Sequence, residues 1–166
     1  MKFTIEIAQD NNDWDLYDEI NSKLFKQTLK EVIKNYQNFS KVKNIELSIL
    51  LSNDNRIKKL NQEFRNENSA TNVLSFPDIN IDFRQILEFE PNLDYMYLGD
   101  IAFAFETIFK EAQEKKIPLL NHFKHLLVHS ILHLLGYDHK DDAETEIMQN
   151  IEIKILQKLS ISSPYL

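Results

Sequence analysis

The alternation of short apolar segments with amphipathic segments constrains the fold more than any other feature of this sequence. Four stretches show the two-residue alternation or the short apolar run that is typical of β-strands. The stretches between them repeat apolar residues every three to four positions, as helices do. The predicted strands are residues 2–8, 44–52, 71–77 and 96–105, and the predicted helices are residues 13–36, 54–65, 105–116, 119–135 and 142–159.

This order of elements predicts a single α/β domain, with about five helices packed on a sheet of about four strands. A chain of 166 residues corresponds to one domain and is long enough to bury a substantial core. Residues 78–95 lack clean periodicity, and we expect an irregular loop there, with or without a hairpin turn. Loops of this length are often functional. The pattern does not reveal the sheet order or the strand directions.

Several classes of protein are excluded by composition. The chain has no cysteine, which rules out disulfides and thiolate metal sites and fits a reducing compartment. The N-terminal stretch turns acidic after seven residues, so we expect no signal peptide. Apolar runs stay well short of the ~20 residues of a membrane span, so we expect no membrane partner.

The net charge of −7 argues against a protein that binds nucleic acid through a broadly basic surface, because phosphate contacts need Lys or Arg. Net charge affects solubility and the long-range attraction of charged partners more than it affects one small site. A divalent cation with a few nearby basic residues can reverse the field where a substrate binds.

The histidines are concentrated in one short part of the chain. All five lie between His122 and His139, together with Gly136, one of only two glycines. In a helix, residues four apart lie on the same face, so His129 and His133 are expected to point the same way. Two imidazoles placed in this manner can hold one divalent metal at ~2 Å each.

Gly136 is expected to end this helix in a left-handed turn, which lets the chain reverse and return His139 as a third ligand. Three histidines leave a tetrahedral metal with an open fourth position, the arrangement of a catalytic site. We therefore predict one Zn²⁺ per chain on His129, His133 and His139. Imidazole ligands also suit nickel, copper and cobalt.

Two neighbouring residues, His125 and Asp138, are open to more than one interpretation. His125 extends the same helical face and could be a fourth ligand, a partner of a ligand, or a substrate contact. His122 is expected at the surface. Asp138 could orient a ligand imidazole through a carboxylate–histidine bond or be an ordinary turn aspartate.

The spacing matches the metzincin protease pattern H-E-x-x-H-x-x-G-x-x-H, with Ser130 in the place of the glutamate. That glutamate is the general base of zinc peptidases, and a serine hydroxyl has no suitable pKa for the role. Ser130 therefore favours an enzyme that catalyses another metal-assisted hydrolysis over a peptidase. Cleavage of a phosphodiester needs less from a protein base.

Three stretches together resemble the YbeY family of bacterial endoribonucleases. They are HLLVHSILHLLGYDH (125–139), LNQEFRNENSATNVLSFPD (60–78) and LGDIAFAF (98–105). They occur in the order of the family and cover much of residues 60–139. Two departures are visible: Ser130 stands where the family usually has glycine, and residues 66–72 replace a stretch that usually carries a charged pair and a proline.

The resemblance implies that residues 1–166 form one metal-dependent endoribonuclease domain with a mixed sheet. It implies zinc-dependent cleavage of single-stranded RNA, in maturation of the small-subunit ribosomal RNA 3′ end and in ribosome quality control. The partners would be ribosomal RNA and the ribosome or its proteins, with no DNA, and the location would be cytoplasmic. The zinc ligands carry over to His129, His133 and His139, and the functional arginine carries over to Arg65.

The role of Arg65 and the function of the chain both have alternatives. Without the resemblance, an arginine at a helix end such as Arg65 is more often a solvated residue with a packed stem, although a guanidinium can also clamp a phosphate. Another zinc hydrolase, such as a peptidase, is one alternative function. A ribosome-assembly factor without enzymatic activity, whose metal is structural, is the other.

Overall fold

The order of strands in the sheet differs from their order along the chain. The computed structural model describes residues 1–165, and its sheet has the order β1-β2-β4-β3. β1, β2 and β4 are parallel neighbours, whereas β3 pairs antiparallel with β4 at one edge. The mixed four-stranded sheet is therefore confirmed. The strands are β1 (Lys2–Gln9), β2 (Asn44–Ser52), β3 (Val73–Pro77) and β4 (Met96–Ala104).

Five α-helices surround this sheet, as predicted. They are α1 (Ser22–Ile33), α2 (Asp54–Arg65), α3 (Phe105–Lys115), α4 (Leu119–Leu134) and α5 (Asp142–Lys158). None of the helices in the described part of the chain is long and apolar enough to cross a bilayer.

The two faces of the sheet are covered by different helices, because side chains alternate along a strand. Leu47 and Leu51 of β2 are at most 2% exposed and belong to the large core that α1, α3, α4 and α5 share. Leu50 packs instead on a smaller cluster with Ile57 of α2. The helix that carries the histidines, α4, and the helix that ends in Arg65, α2, therefore lie on opposite faces.

The predicted helix over residues 13–36 is wrong in its first part. A 3₁₀ turn occupies Asn12–Leu16, and α1 begins only at Ser22, where the side chain of Asn21 accepts the Leu24 N–H at 3.1 Å. Trp14 explains the interruption, because its indole N–H donates to the Ser52 carbonyl at 2.9 Å and its side chain is buried. This contact fixes the 3₁₀ turn against the end of β2.

Candidate metal centre

The end of α4 and the turn that follows it bring three histidines together. The Nε2 atoms of His129 and His133 are 2.9 Å apart. The ring of His139 lies 5.5 Å from the ring of His129 and 5.2 Å from that of His133, between centroids. One ligand nitrogen from each residue lies within 4.8 Å of the others. The cluster could thus hold a metal ion.

Gly136 makes the turn between His133 and His139 possible. Its φ is +97°, and a Cβ added there would lie 1.9 Å from the carbonyl oxygen of Ile81. Only glycine adopts such a φ readily and leaves room for the crossing backbone. The segment 78–95, which has no strand and one 3₁₀ turn at Phe83–Gln85, therefore crosses directly over the turn of the metal centre.

Tyr137 anchors the same turn in the core. Its ring is buried and stacks on Phe83, with centroids 5.0 Å apart. Its hydroxyl lies 2.9 Å from the hydroxyl of Tyr36 on the far side. The backbone that leads to His139 is consequently held from two directions.

The Nδ1 atoms of two histidines face acceptors. His133 Nδ1 lies 2.8 Å from the carbonyl oxygen of Tyr137, and a carbonyl can only accept, so this nitrogen carries the proton. His129 Nδ1 contacts the carboxylate of Glu152. Burial alone would raise the pKa of Glu152, but hydrogen bonds from His125, His129 and Tyr165 outweigh it and lower the pKa to about 2. An ionised carboxylate also accepts, so His129 is protonated on Nδ1 too.

These two tautomers leave a lone pair on each Nε2, since a neutral imidazole carries one N–H. Two lone pairs that face each other at 2.9 Å repel unless a cation or a proton lies between them. Two nitrogens bound at ~2 Å to one tetrahedral ion are separated by roughly 3.3 Å. The donor set therefore fits a divalent cation such as zinc.

The surroundings of His133 also favour a neutral ligand. Burial lowers its pKa to about 4, and the proximity of His129 and His139 acts in the same direction. Metal ligands must be deprotonated at the binding nitrogen. His133 consequently meets this condition at neutral pH.

His125 does not point into the cluster of three histidines. Its Nε2 lies 3.3 Å from Glu152 Oε2 and 3.0 Å from the Tyr165 hydroxyl. These contacts make His125 a hydrogen-bond partner of Glu152, which itself contacts His129. Asp138 is a turn aspartate, because its Oδ1 accepts the backbone N–H of His139 at 2.8 Å.

The prediction that His122 lies at the surface is wrong. It is 2% exposed, and its Nε2 lies 3.4 Å from a carboxylate oxygen of Glu111. The packing of α3 against α4 buries the ring, and Glu111 on α3 supplies a polar partner. Burial lowers the pKa of His122.

Arg65 is the last residue of α2 and is exposed. The polar contacts of His129 and His133 are with Glu152, with the Tyr137 carbonyl and with each other, not with Arg65. Arg65 is therefore not brought into contact with the cluster, and its role stays a prediction.

Two residues of the site, Glu152 and Tyr165, were not anticipated from the sequence. The sequence did contain a signal for Glu152, which lies among the apolar residues Met148, Ile155 and Leu156; the structure buries all four on α5. These positions follow helical spacing, and a lone carboxylate on an apolar face needs a partner. Tyr165 lies in the short tail after α5 and had no such signal.

Comparison with known proteins agrees with the geometry. The family model described as endoribonuclease YbeY matches residues 8–160. A protein of Sinorhizobium fredii named endoribonuclease YbeY is 37% identical over 164 residues, which cover 97% of this chain and 91% of that protein. The solution structure of a Thermotoga maritima protein has a TM-score of 0.55 at 22% identity, covers 95% of this chain and 92% of its own, and supports the fold alone. The chain therefore belongs to the endoribonuclease YbeY family.

Proposed function

We propose that this protein is an endoribonuclease that cleaves single-stranded RNA with one zinc ion held by His129, His133 and His139. The observation that carries the proposal is the 2.9 Å separation of the His129 and His133 Nε2 atoms, whose mutual repulsion a bound cation would relieve. Family membership supplies the reaction class. We take residues 1–166 as one catalytic domain.

The chain itself orients two of the three proposed ligands. Glu152 holds the Nδ1–H of His129, and the Tyr137 carbonyl holds the Nδ1–H of His133, so both rings are oriented before anything binds. Three protein ligands leave one coordination position open. A zinc ion held there would supply Lewis acidity toward a phosphoryl oxygen and would acidify water.

Arg65 is proposed to bind the phosphate of the substrate. The arginine ion pairs within residues 1–165 involve Arg56 and Arg84, so the guanidinium of Arg65 is available to another anion. Its planar donors match two oxygens of a phosphate. The exposed position at the end of α2 suits a flexible polymer better than a small buried ligand.

The biological substrate in this proposal is ribosomal RNA, notably the 3′ end of the small-subunit RNA. The partners would be the ribosome or its proteins, and the location would be the cytoplasm. These roles rest on the family resemblance. The net charge of −7 favours local recognition at the metal centre over a broad basic surface.

A peptidase is disfavoured by the environment of Ser130. This residue occupies the position of the peptidase glutamate, is fully buried, and its hydroxyl has no hydrogen-bond partner within residues 1–165. A group enclosed in the core cannot take a proton from a water molecule at the metal centre.

The test is cleavage of an end-labelled single-stranded RNA and of the same sequence as a duplex. Wild-type protein should cleave the single strand, lose activity with a chelator, and regain it with zinc. His129→Ala should be inactive. Arg65→Ala should lower kcat/KM by about 10²-fold, as expected for loss of one charge-stabilising donor.

Arg56→Ala is the matched control, because Arg56 is an exposed arginine at the other end of α2. It should retain wild-type activity. Cleavage that survives both the chelator and His129→Ala would contradict the proposal. Robust peptide hydrolysis without RNA cleavage would replace it with the peptidase alternative.

A further inference from the structure

The tail after α5, residues 160–165, folds back along the helix. Ser160 adopts a left-handed φ of +62°, and the Ile161 N–H donates to the Leu156 carbonyl at 2.9 Å. Leu159 and Ile161 are partly buried against the main core. The reversal is thus fixed by both backbone and apolar contacts.

The returning tail places Tyr165 beside Glu152. Seven residues of helix separate Glu152 from Leu159, a rise of ~10 Å, and six extended residues can span up to ~20 Å. The Tyr165 hydroxyl contacts the Glu152 carboxylate and lies 3.0 Å from His125 Nε2. Its ring meets the ring of His125 edge-on, with centroids 5.4 Å apart.

The Glu152 carboxylate is consequently bound on both oxygens. Oε1 contacts His129 Nδ1, and Oε2 contacts the Tyr165 hydroxyl and His125 Nε2. Glu152 is 0% exposed, so protein groups must provide these donors. Burial and the neighbouring carboxylate raise the pKa of Tyr165, which keeps the phenol protonated and therefore a donor.

We propose that Tyr165 is a positioning residue of the metal centre: its hydroxyl fixes the Glu152 carboxylate, which in turn fixes the ring of His129. Docking of the tail then sets the affinity of the site for zinc. This inference rests on the proposed function in taking the three histidines as metal ligands. The family model ends at residue 160, so Tyr165 lies outside the part of the chain that it matches.

The test compares the zinc dissociation constants of wild type and Tyr165→Phe, measured by competition with a chromophoric chelator. Phenylalanine keeps the ring against His125 and removes only the hydroxyl. Loss of a group that orients a ligand weakens metal binding 10–100-fold. Tyr165 is one hydrogen bond further from His129 than Glu152 is, so we expect zinc binding to weaken by about tenfold. The visible absorption of the cobalt-substituted protein should change as well.

Tyr95→Phe is the matched control. Tyr95 also donates its hydroxyl to a glutamate, Glu46 of β2, away from the three histidines. This variant should bind zinc as wild type does. Metal-free Tyr165→Phe should unfold at nearly the wild-type temperature, which separates positioning from a general loss of structure.

A double variant tests whether Tyr165 acts through Glu152. If it does, adding Tyr165→Phe to Glu152→Gln should cause little further loss, because coupled residues are not additive. Fully additive losses would overturn the inference. So would a Tyr165→Phe protein with wild-type zinc affinity and cobalt spectrum, provided that wild type binds zinc and His129→Ala does not. If wild type binds no zinc, the proposed function fails instead.

Discussion

Replacing Gly136 with alanine should damage both the fold and the metal centre. The added Cβ would lie 1.9 Å from the Ile81 carbonyl oxygen, 2.9 Å from its carbon and 3.2 Å from the Phe83 nitrogen. All three atoms are backbone, so no side-chain rotation relieves the overlap. The φ of +97° adds strain for any residue with a Cβ.

The expected loss of stability is the sum of two effects. A left-handed backbone costs a residue other than glycine roughly 1–2 kcal/mol. Forcing extra volume into a packed site costs typically about 1–3 kcal/mol. The total of about 2–5 kcal/mol corresponds to a fall of roughly 4–20 °C in Tm at this chain length.

Thermal unfolding and zinc competition measured on the same protein distinguish local from global damage. Gly99→Ala is the control, because its Cβ would lie 2.2 Å from the Phe76 carbonyl oxygen at a φ of +136°. Both variants should lose stability by similar amounts. Only Gly136→Ala should also lose zinc affinity in the protein that remains folded, because Gly136 lies between the proposed ligands His133 and His139.

Two results would refute this reasoning. A Gly136→Ala protein whose Tm stays within about 2 °C of wild type would mean that the crossing of Ile81 is not tightly packed. Equal zinc affinities for the Gly136 and Gly99 variants would mean that the turn does not position His139.

Three further predictions concern the same region. Glu152→Gln should weaken zinc binding 10–100-fold in the chelator competition, because the charged acceptor on His129 is lost; unchanged affinity would contradict this. Ser130→Ala should raise stability by about 1 kcal/mol in thermal unfolding, since it removes a buried hydroxyl without a partner in the described chain; a lower Tm would argue against it. Metal-stripped protein should be less stable to urea at pH 5 than at pH 7, because the pKa of His133 is lowered from 6.5 to about 4. At pH 5 the unfolded state therefore binds a proton on His133 that the folded state does not bind, which favours unfolding. Equal stabilities at pH 5 and pH 7 would refute the burial of this imidazole.

The clustering of His129, His133 and His139 and the elements that carry them could be predicted because their signals are local. The spacing of His129 and His133 is set by the helical repeat, and Gly136 marks the turn in a chain with only two glycines. The order of the sheet and the antiparallel pairing of the edge strand β3 could not be predicted, because they depend on which segments meet in space.

The misplaced start of α1 and the missed partners of the clustered histidines have a common physical cause. Trp14 interrupts the predicted helix because its indole N–H donates to the carbonyl of Ser52, which is 38 residues away. Glu152 meets His129 across 23 residues, and Tyr165 meets His125 across 40. Such contacts follow from tertiary packing, which periodicity along one segment does not encode.

A crystal structure of the zinc-loaded protein, with anomalous diffraction at the zinc edge, tests the central claim most directly. We predict one zinc ion per chain, bound by the Nε2 atoms of His129 and His133 and by His139 at ~2.0–2.1 Å, with a fourth position open to solvent. A fourth protein ligand that closes the site would contradict the catalytic role and favour a structural metal. Zinc bound elsewhere would contradict the site itself.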